Sequence, residues 1–387
     1  MRLGNSMGSL RLAAALGVAA TILLTGCGEF FTPVNNNPTG GGGTSFVYVT
    51  NAGGTLAEYS LASGVLTALS GSPVSLTLAP TAIAVAPNNA FLFVGTATGI
   101  FMYTINSDGT LTEGNSNTVV YLNQNGYTVS SMAVDPTSSW LIVAYQNQTE
   151  LDAIPISPTT GIPSSTTAFS VNTTFGTLAP ELAISKANNN VFVALGSGGT
   201  NAFGFAPSST SKGPWGSRVS IPLKTASTSY TAVAVDPTST YLYITESDIS
   251  GKNAAGNLRL FAISDLGTEL AGSPYPTGIG PSAVLADLSG AYVYVANSTD
   301  GTISGFSFSA TDQTLTSLGD PFPTEKSPVA LIEDSSKTYV MALGSGANPN
   351  LWLYSFDTTS LGTLDVGSTK STASVSPSAA NGIAVTY

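Results

Sequence analysis

Short apolar runs, each followed by a turn and then an aromatic-rich apolar run, recur along most of the chain. The unit is clearest where AIAVAP at 82–87 leads to FLFV at 91–94, and where MAVDP at 132–136 leads to WLIV at 140–143. Further copies lie at 233–244 and 284–295, with weaker ones at 183–193 and 331–341. Apolar positions alternate with polar ones, and Gly, Asn, Asp and Ser fill the turns. This pattern predicts antiparallel β-strands.

The spacing of these copies predicts the architecture. Equivalent turn positions fall at 87, 136, 186, 237, 288 and 335, which are 49, 50, 51, 51 and 47 residues apart. A third strand follows each pair and ends in two apolar residues two positions apart, as in Tyr103 and Ile105. A repeat of about 50 residues with four short strands is typical of a β-propeller.

The ends of the repeat region predict the number of units. FVYVTN at 46–51 matches the second strand of a unit, whereas GIAVTY at 382–387 matches the first strand. Counting from position 42 to 387 gives seven units of about 49 residues. We therefore predict an all-β fold over residues 45–387: a seven-bladed β-propeller with four antiparallel strands per blade and a first blade closed by both termini.

The start of the chain predicts an export signal. Arg2 and Arg11 precede an apolar stretch of 13 residues, Leu12–Leu24. This stretch is shorter than the ~20 residues of a membrane-spanning helix and fits a signal peptide better. Leu24-Thr25-Gly26-Cys27 resembles the bacterial lipobox. The resemblance implies a lipoprotein signal peptide at 1–26 and lipidation of Cys27.

The predicted partner of this segment is the membrane, held through the lipid on Cys27. Residues 27–44 would then be the lipidated Cys and a flexible linker rich in Gly, Asn and Pro. Gly28 stands where inner-membrane lipoproteins carry Asp, so by analogy the outer membrane is favoured within the cell envelope. An ordinary secretory signal with a chance Cys is the alternative.

Composition removes several classes of chemistry. The 387 residues include one Cys and no His, which excludes a disulfide framework, Cys/His zinc sites and a His general base. The net charge is −11, the wrong sign for a nucleic-acid-binding protein.

The repeat resembles the lactonase-type propellers, named after bacterial 6-phosphogluconolactonase, and the related YVTN-repeat propellers. Tyr48-Val49-Thr50-Asn51 spells the second name, and the resemblance covers residues 45–387. It implies the propeller fold and, as an activity, the opening of a cyclic ester.

The functional motifs of that family are incomplete in this chain. Lactonases typically read GPRH before an inner strand and VNE after the second strand. The best match here is Gly280-Pro281-Ser282-Ala283 with Val295-Ala296-Asn297-Ser298, so the Arg and His are absent and Ser298 replaces the Glu. The catalytic and phosphate-binding groups of the family therefore do not carry over, and few Lys or Arg remain to pair with a phosphate.

In propellers of this kind, the loops that enter the inner strand and leave the second strand line one axial mouth. Glu181 and Glu246 are the predicted catalytic candidates, because one carboxylate there would activate water and a crowded pair would raise one pKa. The predicted ligand-binding candidates at this mouth are Asn51, Gln146, Asn147, Tyr230, Asp248 and Asn297. Such oxygen ligands would also hold a divalent cation, calcium or magnesium. The alternative for both acids is that they are solvated loop carboxylates.

Other conspicuous residues favour structural roles. Asp135, Asp236 and Asp287 precede turns and are expected to cap them. NSDG at 106–109 and STDG at 298–301 lack the remaining ligands of a calcium loop. Trp215 breaks the period of the aromatic residues, so stacking on a sugar or a partner side chain is a hypothesis for it.

Two functions remain open from the sequence. The first is a cell-envelope lipoprotein whose propeller is a scaffold that binds a glycan, a peptide or an envelope protein. The alternative is a lactonase-type hydrolase acting on a carboxylic ester, with Glu181 or Glu246 as the base. The missing Arg and His favour the scaffold.

Overall fold

The computed structural model describes residues 44–114, 120–122, 125–177, 179–208, 212–324, 327–346, 349–370 and 380–387. All regular elements in these segments are β-strands, which form seven antiparallel sheets. Each sheet is one blade, with four strands running from the propeller axis to the rim. Four blades carry an additional short strand paired with the third one. The predicted seven-bladed, all-β propeller is confirmed.

The first three blades begin at the amino-terminal side of the described chain. Blade 1 contains β1 (Ser45–Asn51), β2 (Thr55–Ala62), β3 (Val65–Ala68) and β4 (Val74–Ser75). Blade 2 contains β5 (Pro80–Val85), β6 (Phe91–Thr96), β7 (Gly99–Ile105), β8 (Leu111–Glu113) and β9 (Tyr121–Leu122). Blade 3 contains β10 (Val129–Val134), β11 (Trp140–Tyr145), β12 (Glu150–Pro155) and β13 (Phe169–Asn172).

The remaining blades follow in chain order. Blade 4 contains β14 (Glu181–Ile184), β15 (Asn190–Ala194), β16 (Thr200–Phe205) and β17 (Trp215–Ile221). Blade 5 contains β18 (Thr228–Val235), β19 (Tyr241–Asp248), β20 (Ala255–Ala262), β21 (Asp265–Glu269) and β22 (Tyr275–Ile279). Blade 6 contains β23 (Pro281–Ala286), β24 (Tyr292–Asn297), β25 (Thr302–Ser309), β26 (Thr314–Ser317) and β27 (Phe322–Pro323). Blade 7 contains β28 (Pro328–Glu333), β29 (Tyr339–Gly344), β30 (Leu351–Phe356) and β31 (Leu364–Lys370), and β32 (Ala380–Val385) follows it.

The last strand belongs to the first blade, as predicted. β32 pairs antiparallel with β1, with Val385 opposite Val47 and Ile383 opposite Val49. The amide of Thr386 also donates to the carbonyl of Phe46. The inner strand of blade 1 therefore comes from the end of the chain, and all seven residues of β1 are buried beneath it. Pairing β1 on both sides removes a sheet edge that would otherwise be free.

The core lies between neighbouring blades. The aromatic residues that recur in each unit pack there, namely Trp140, Tyr241, Tyr292, Tyr294, Tyr339 and Tyr354. Buried tyrosines also satisfy their hydroxyl groups across blade boundaries: Tyr48 donates to the carbonyl of Gly109 at 2.7 Å, and Tyr294 donates to that of Gly362 at 2.7 Å. Large aromatic rings of this kind combine apolar burial with a polar tip that finds a partner.

Candidate functional site

The inner strands of all seven blades surround an axial cavity of about 260 Å³. In every blade, one position of the inner strand pairs with the same repeat position of the second strand, so the seven blades can be compared there. Six blades carry a small residue at that position: Ala82, Ser131, Ala232, Ala283, Ala330 and Gly382. In blade 4 the same position holds Glu181, opposite Ala194. Glu181 is the only charged residue among those that line this cavity, which we call the Glu181 cavity.

The residues that precede this position explain why the cavity is polar. In the other six blades the strand register shifts there, leaving one residue of the inner strand unpaired in the ladder. Several of these bulged side chains tie neighbouring blades together. Ser282 donates to the carbonyl of Pro328 at 2.6 Å, and Asn381 donates to that of Pro80 at 2.6 Å. The bulges therefore place hydroxyl and amide groups around the axis.

Glu181 has no polar partner in the described part of the chain. The residue is exposed to the cavity, whose walls come from the inner strands of all seven blades. Desolvation raises the pKa of Glu181 to about 7. Since the ordinary value for Glu lies near 4.5, a large fraction of this carboxyl group is protonated at neutral pH.

Glu246 occupies a different environment and does not line the Glu181 cavity. It is 1% exposed and forms an ion pair with Arg259 at 2.7 Å. Asn257 and Thr228 also donate to its carboxylate, so both oxygens accept hydrogen bonds. Arg259 contacts Glu269 at 2.7 Å as well. Because both of its oxygens are bound within the blade, the geometry favours a structural role for Glu246, and its predicted catalytic role stays a prediction.

The hydrogen bonds of Glu246 also affect Arg259. Burial lowers the pKa of Arg259, but the hydrogen bonds and charges of the neighbouring carboxylates outweigh burial and raise it overall. The guanidinium lies 5.8 Å from the centre of the Tyr230 ring. Tyr230 is fully buried and donates to the carbonyl of Pro222. Tyr230 packs beneath the surface against this ion pair, and its predicted ligand-binding role stays a prediction.

Two predicted amide ligands are also buried. Asn297 donates to Thr302 at 3.1 Å and to Ser304 at 3.0 Å, and its oxygen accepts the amide of Gly278. Asn51 is 1% exposed and donates to Thr55 at 3.2 Å. Both side chains form hydrogen bonds within the turn after the second strand of a blade, and their predicted ligand-binding role stays a prediction.

The three remaining candidates, Gln146, Asn147 and Asp248, are less deeply buried, and Asp248 is the last residue of β19. Gln146 is half-buried, and Asn147 is exposed with a left-handed backbone, φ 55°. Asp248 accepts hydrogen bonds from the Ser250 amide and hydroxyl, which lower its pKa. None of the three lines the Glu181 cavity. Their predicted role in ligand binding stays a prediction.

Trp215 begins β17 and is not on a loop. Its ring packs edge-to-face on Phe203 at 5.6 Å and on Phe205 at 5.7 Å. The indole nitrogen donates to the carbonyl of Phe169 at 2.6 Å. The Trp215 ring thus packs against residues of blades 3 and 4, and the hypothesis that it stacks on a ligand stays a prediction.

The remaining predictions concern the lipid anchor and a bound metal ion. Cys27 and the signal peptide lie outside the described residues. No helix in the described segments is long and apolar enough to cross a membrane. The same segments hold no group of three or more His, Cys, Asp or Glu side chains arranged to bind a metal ion.

The sequence reasoning missed a second cavity, of about 460 Å³, at the other end of the same inner strands. It contains Lys186, Glu333 and Lys337 among apolar residues, and we call it the turn-end cavity because it lies beside the turns between first and second strands. Glu333 holds a position where the other inner strands have Val85, Val134, Ile184, Val235, Ala286 and Val385. The signal in the sequence that could have revealed this cavity is Glu333, an acidic residue at a repeat position that is apolar in the other six blades.

Comparisons with known proteins add information about the fold. No family model matches the chain, and no curated protein sequence matches it. The periplasmic gluconolactonase of Pseudomonas aeruginosa has a similar structure, with TM-score 0.66 and 14% identity over 89% of this chain and 99% of that one. A candidate 6-phosphogluconolactonase of Bacteroides uniformis gives TM-score 0.66 and 14% identity over 88% and 99%.

A protein from Lactobacillus plantarum is similar to the same degree, with TM-score 0.66 and 16% identity over 89% of this chain and 99% of that one. At such identities the likeness establishes the fold alone. The chain thus has the architecture of the lactonase-type seven-bladed propellers, as the sequence pattern predicted, and its function has to be argued from its own residues.

Proposed function

We propose that this chain is an exported, lipid-anchored propeller that acts as a binding scaffold in the cell envelope. The observation that supports a scaffold is the composition of the Glu181 cavity. It holds one carboxyl group among hydroxyl, amide and apolar groups, and no basic side chain and no second acid line it. The Arg and His expected of the lactonases have no counterpart there. This set of groups favours recognition over chemistry.

The partner class follows from the charge and size of this cavity. A solitary carboxyl group, with no partner in the described chain, is complementary to an ammonium or guanidinium group. A volume of about 260 Å³ suits one side chain better than a drug-sized ligand. The favoured partner is a peptide or envelope protein that inserts a Lys or Arg side chain along the axis. A glycan is the other class of ligand, and it would bind through the hydroxyl groups.

The test compares two matched probes, N-acetyl-lysine methylamide and its uncharged counterpart N-acetyl-norleucine methylamide. Bound lysine should shift the pKa of Glu181 down from about 7, by at least ~1 unit, in carbon-13 NMR of glutamate-labelled protein. Glu181→Gln should abolish lysine binding, whereas Glu113→Gln, an exposed acid on β8, should leave it unchanged. Equal binding of both probes, or binding only of neutral oligosaccharides, would reject the basic side chain as the ligand.

The second function is a hydrolase, and one observation favours it. A carboxyl group with a pKa of about 7 is suited to accept a proton from water near neutral pH. A panel of lactones, including δ-gluconolactone and its 6-phosphate, tests this with and without Ca²⁺ or Mg²⁺. Turnover that is lost in Glu181→Gln and kept in Glu246→Gln would make the protein a lactonase. Turnover no faster than the uncatalysed rate in buffer would reject the hydrolase, and the binding scaffold would be the function that remains.

The anchor rests on the sequence and has a separate test. In a bacterial host the wild-type chain should incorporate labelled fatty acid and sediment with membranes. Cys27→Ala should lose the label. If both forms carry equal label, the lipid is attached elsewhere and the lipobox interpretation is wrong.

A further inference from the structure

Three charged residues at the turn-end cavity differ from the residue types that the other blades carry at the same repeat positions. Lys186 occupies a turn position where other blades have Pro87, Pro136, Pro237, Leu288, Ser335 and Tyr387. Lys337 has a left-handed backbone, φ 59°, at a position held elsewhere by Asn89, Ser138, Asn188, Ser239 and Gly290. A long side chain is unfavourable in that conformation. Glu333 replaces an apolar residue. Local rules are typically broken where a protein has a function to perform.

The cavity that these groups share is otherwise apolar. Its walls come from the later residues of several inner strands, including Ile83, Leu285, Ile332 and Val385. A cavity of about 460 Å³ with apolar walls and a few polar groups has the size and character of a small-molecule site. The apolar walls would hold the body of a ligand, and the charged groups lie where its polar end would be.

The two lysines place positive charge at this cavity, and neither forms an ion pair with a residue that the structure describes. Both are exposed, and Lys337 donates to the carbonyl of Leu288 at 3.1 Å. The ammonium group of Lys186 has no hydrogen bond or ion pair with any residue that the structure describes. Desolvation and the nearby charge of Lys337 lower the pKa of Lys186. Two ammonium groups that repel one another would be stabilised by an anion between them.

Glu333 supplies a third polar contact. It is 5% exposed, one carboxyl oxygen accepts the amide of Leu288 at 2.5 Å, and the other oxygen has no hydrogen-bond partner. Desolvation raises the pKa of this group to about 7, helped by Asp287 and Asp334 and opposed by the Leu288 amide and Lys337. In its neutral form the free oxygen can donate a hydrogen bond to a ligand carboxylate. An unpaired buried oxygen in an apolar wall is costly without such a partner.

We infer that the turn-end cavity is a binding site for an amphipathic carboxylate, such as a medium-chain fatty acid. Lys186 and Lys337 bind the carboxylate, Glu333 donates a hydrogen bond to it, and the alkyl chain lies against the inner strands. This site differs from the Glu181 cavity in carrying two lysines and in including the turn ends of the inner strands, although Ile83, Met132 and Ile383 line both cavities.

The test is calorimetric titration of the purified protein, in detergent-free buffer, with three probes below their aggregation limits. Decanoate carries both features, decanol has the chain without the charge, and acetate has the charge without the chain. Decanoate should bind at least tenfold more tightly than decanol, and acetate should show no binding. Lys186→Gln and Lys337→Gln should each weaken decanoate binding at least fivefold. Lys252→Gln, an exposed lysine on the loop that follows β19, should not change it.

The glutamate is tested by pH. Decanoate should bind more tightly at pH 6 than at pH 8, because protonation of Glu333 removes a negative charge beside the bound carboxylate. In Glu333→Gln this dependence should be lost while binding at pH 6 is retained. Equal affinity for decanoate and decanol, an unchanged affinity in both lysine variants, or no binding of decanoate by correctly folded protein would overturn the inference.

Discussion

At the scale of single residues, three glutamates are held where their charged form is unfavourable. Desolvation is the main cause at each, and the pKa rises to about 7 for Glu58, Glu181 and Glu333. None of the three forms an ion pair in the described chain. Because a raised carboxyl pKa means that the folded state binds the proton more tightly than the unfolded state, these groups favour folding at low pH. Their contribution is lost as the pH rises from about 4.5 through 7.

Glu58 gives the cleanest test of this effect. It is 2% exposed and one of its carboxyl oxygens has no partner, and Asp108 adds repulsion to the burial. Glu58→Gln should therefore stabilise the protein relative to wild type at pH 8 by about 1–3 kcal/mol, with little difference at pH 5. Urea unfolding at both pH values measures it. Glu113→Gln, an exposed acid of the neighbouring blade, is the control, and an equal shift there would attribute the effect to net charge alone.

At the scale of elements, the turn between first and second strands is built around one carboxylate. The predicted capping role of Asp135, Asp236 and Asp287 is confirmed. In blade 5, the oxygens of Asp236 accept the amides of Thr238 at 2.9 Å, Thr240 at 2.6 Å and Tyr241 at 2.5 Å. Asp334 repeats the arrangement in blade 7, and the Ser185 hydroxyl replaces it in blade 4. Each carboxylate thus satisfies amides that the tight turn would otherwise leave without acceptors.

Removing one of these carboxylates should destabilise its blade. Asp236 is 4% exposed, so Asp236→Ala leaves several buried amides without an acceptor and should lower the free energy of unfolding by about 2–4 kcal/mol. Asp320→Ala removes an exposed carboxylate and should change it by less than about 0.5 kcal/mol. Chemical denaturation of both variants measures the difference. Similar values for the two would mean that the turn holds its shape without the cap.

At the scale of the whole molecule, the ring is closed by pairing distant parts of the chain. β32 and β1 are separated by more than 300 residues in sequence, and the apolar face they share with blade 7 includes Val47, Val49 and Val385. Without β32 the buried strand β1 would be an edge that can pair with other chains. Closure therefore stabilises the propeller and removes an edge strand that could pair with another chain.

Deleting residues 380–387 tests this closure. We expect a lower unfolding temperature and association of the truncated chain, seen by calorimetry and size-exclusion chromatography. A synthetic peptide of residues 380–387 should reverse both changes, while a peptide of the same composition in scrambled order should not. Unchanged stability after the deletion would show that the blades hold the ring without this strand.

Comparison of the sequence with the structure separates local from long-range information. The alternation within strands and the Asp-containing turns predicted the strands and their turns, because each depends on residues close in sequence. The period near 50 residues then predicted how these strands are grouped into blades. Glu181 was selected from the sequence by its position where the chain enters an inner strand. The sequence pattern did not show the contact of Trp215 with Phe169 on another blade or that of Glu246 with Arg259 on the next strand.

The sequence by itself determined the seven blades, their closure by both ends of the chain and the absence of histidine chemistry, because repeat pattern and composition need no coordinates. Only the tertiary structure decided which acidic side chains form ion pairs and which line a cavity. In the structure Glu246 forms an ion pair with Arg259, and Glu181 is the one charged residue that lines the axial cavity. Glu333 lines a second cavity together with two lysines from blades 4 and 7. The physical reason is that charge, desolvation and cavity shape depend on distances between blades, and a one-dimensional pattern does not contain those distances.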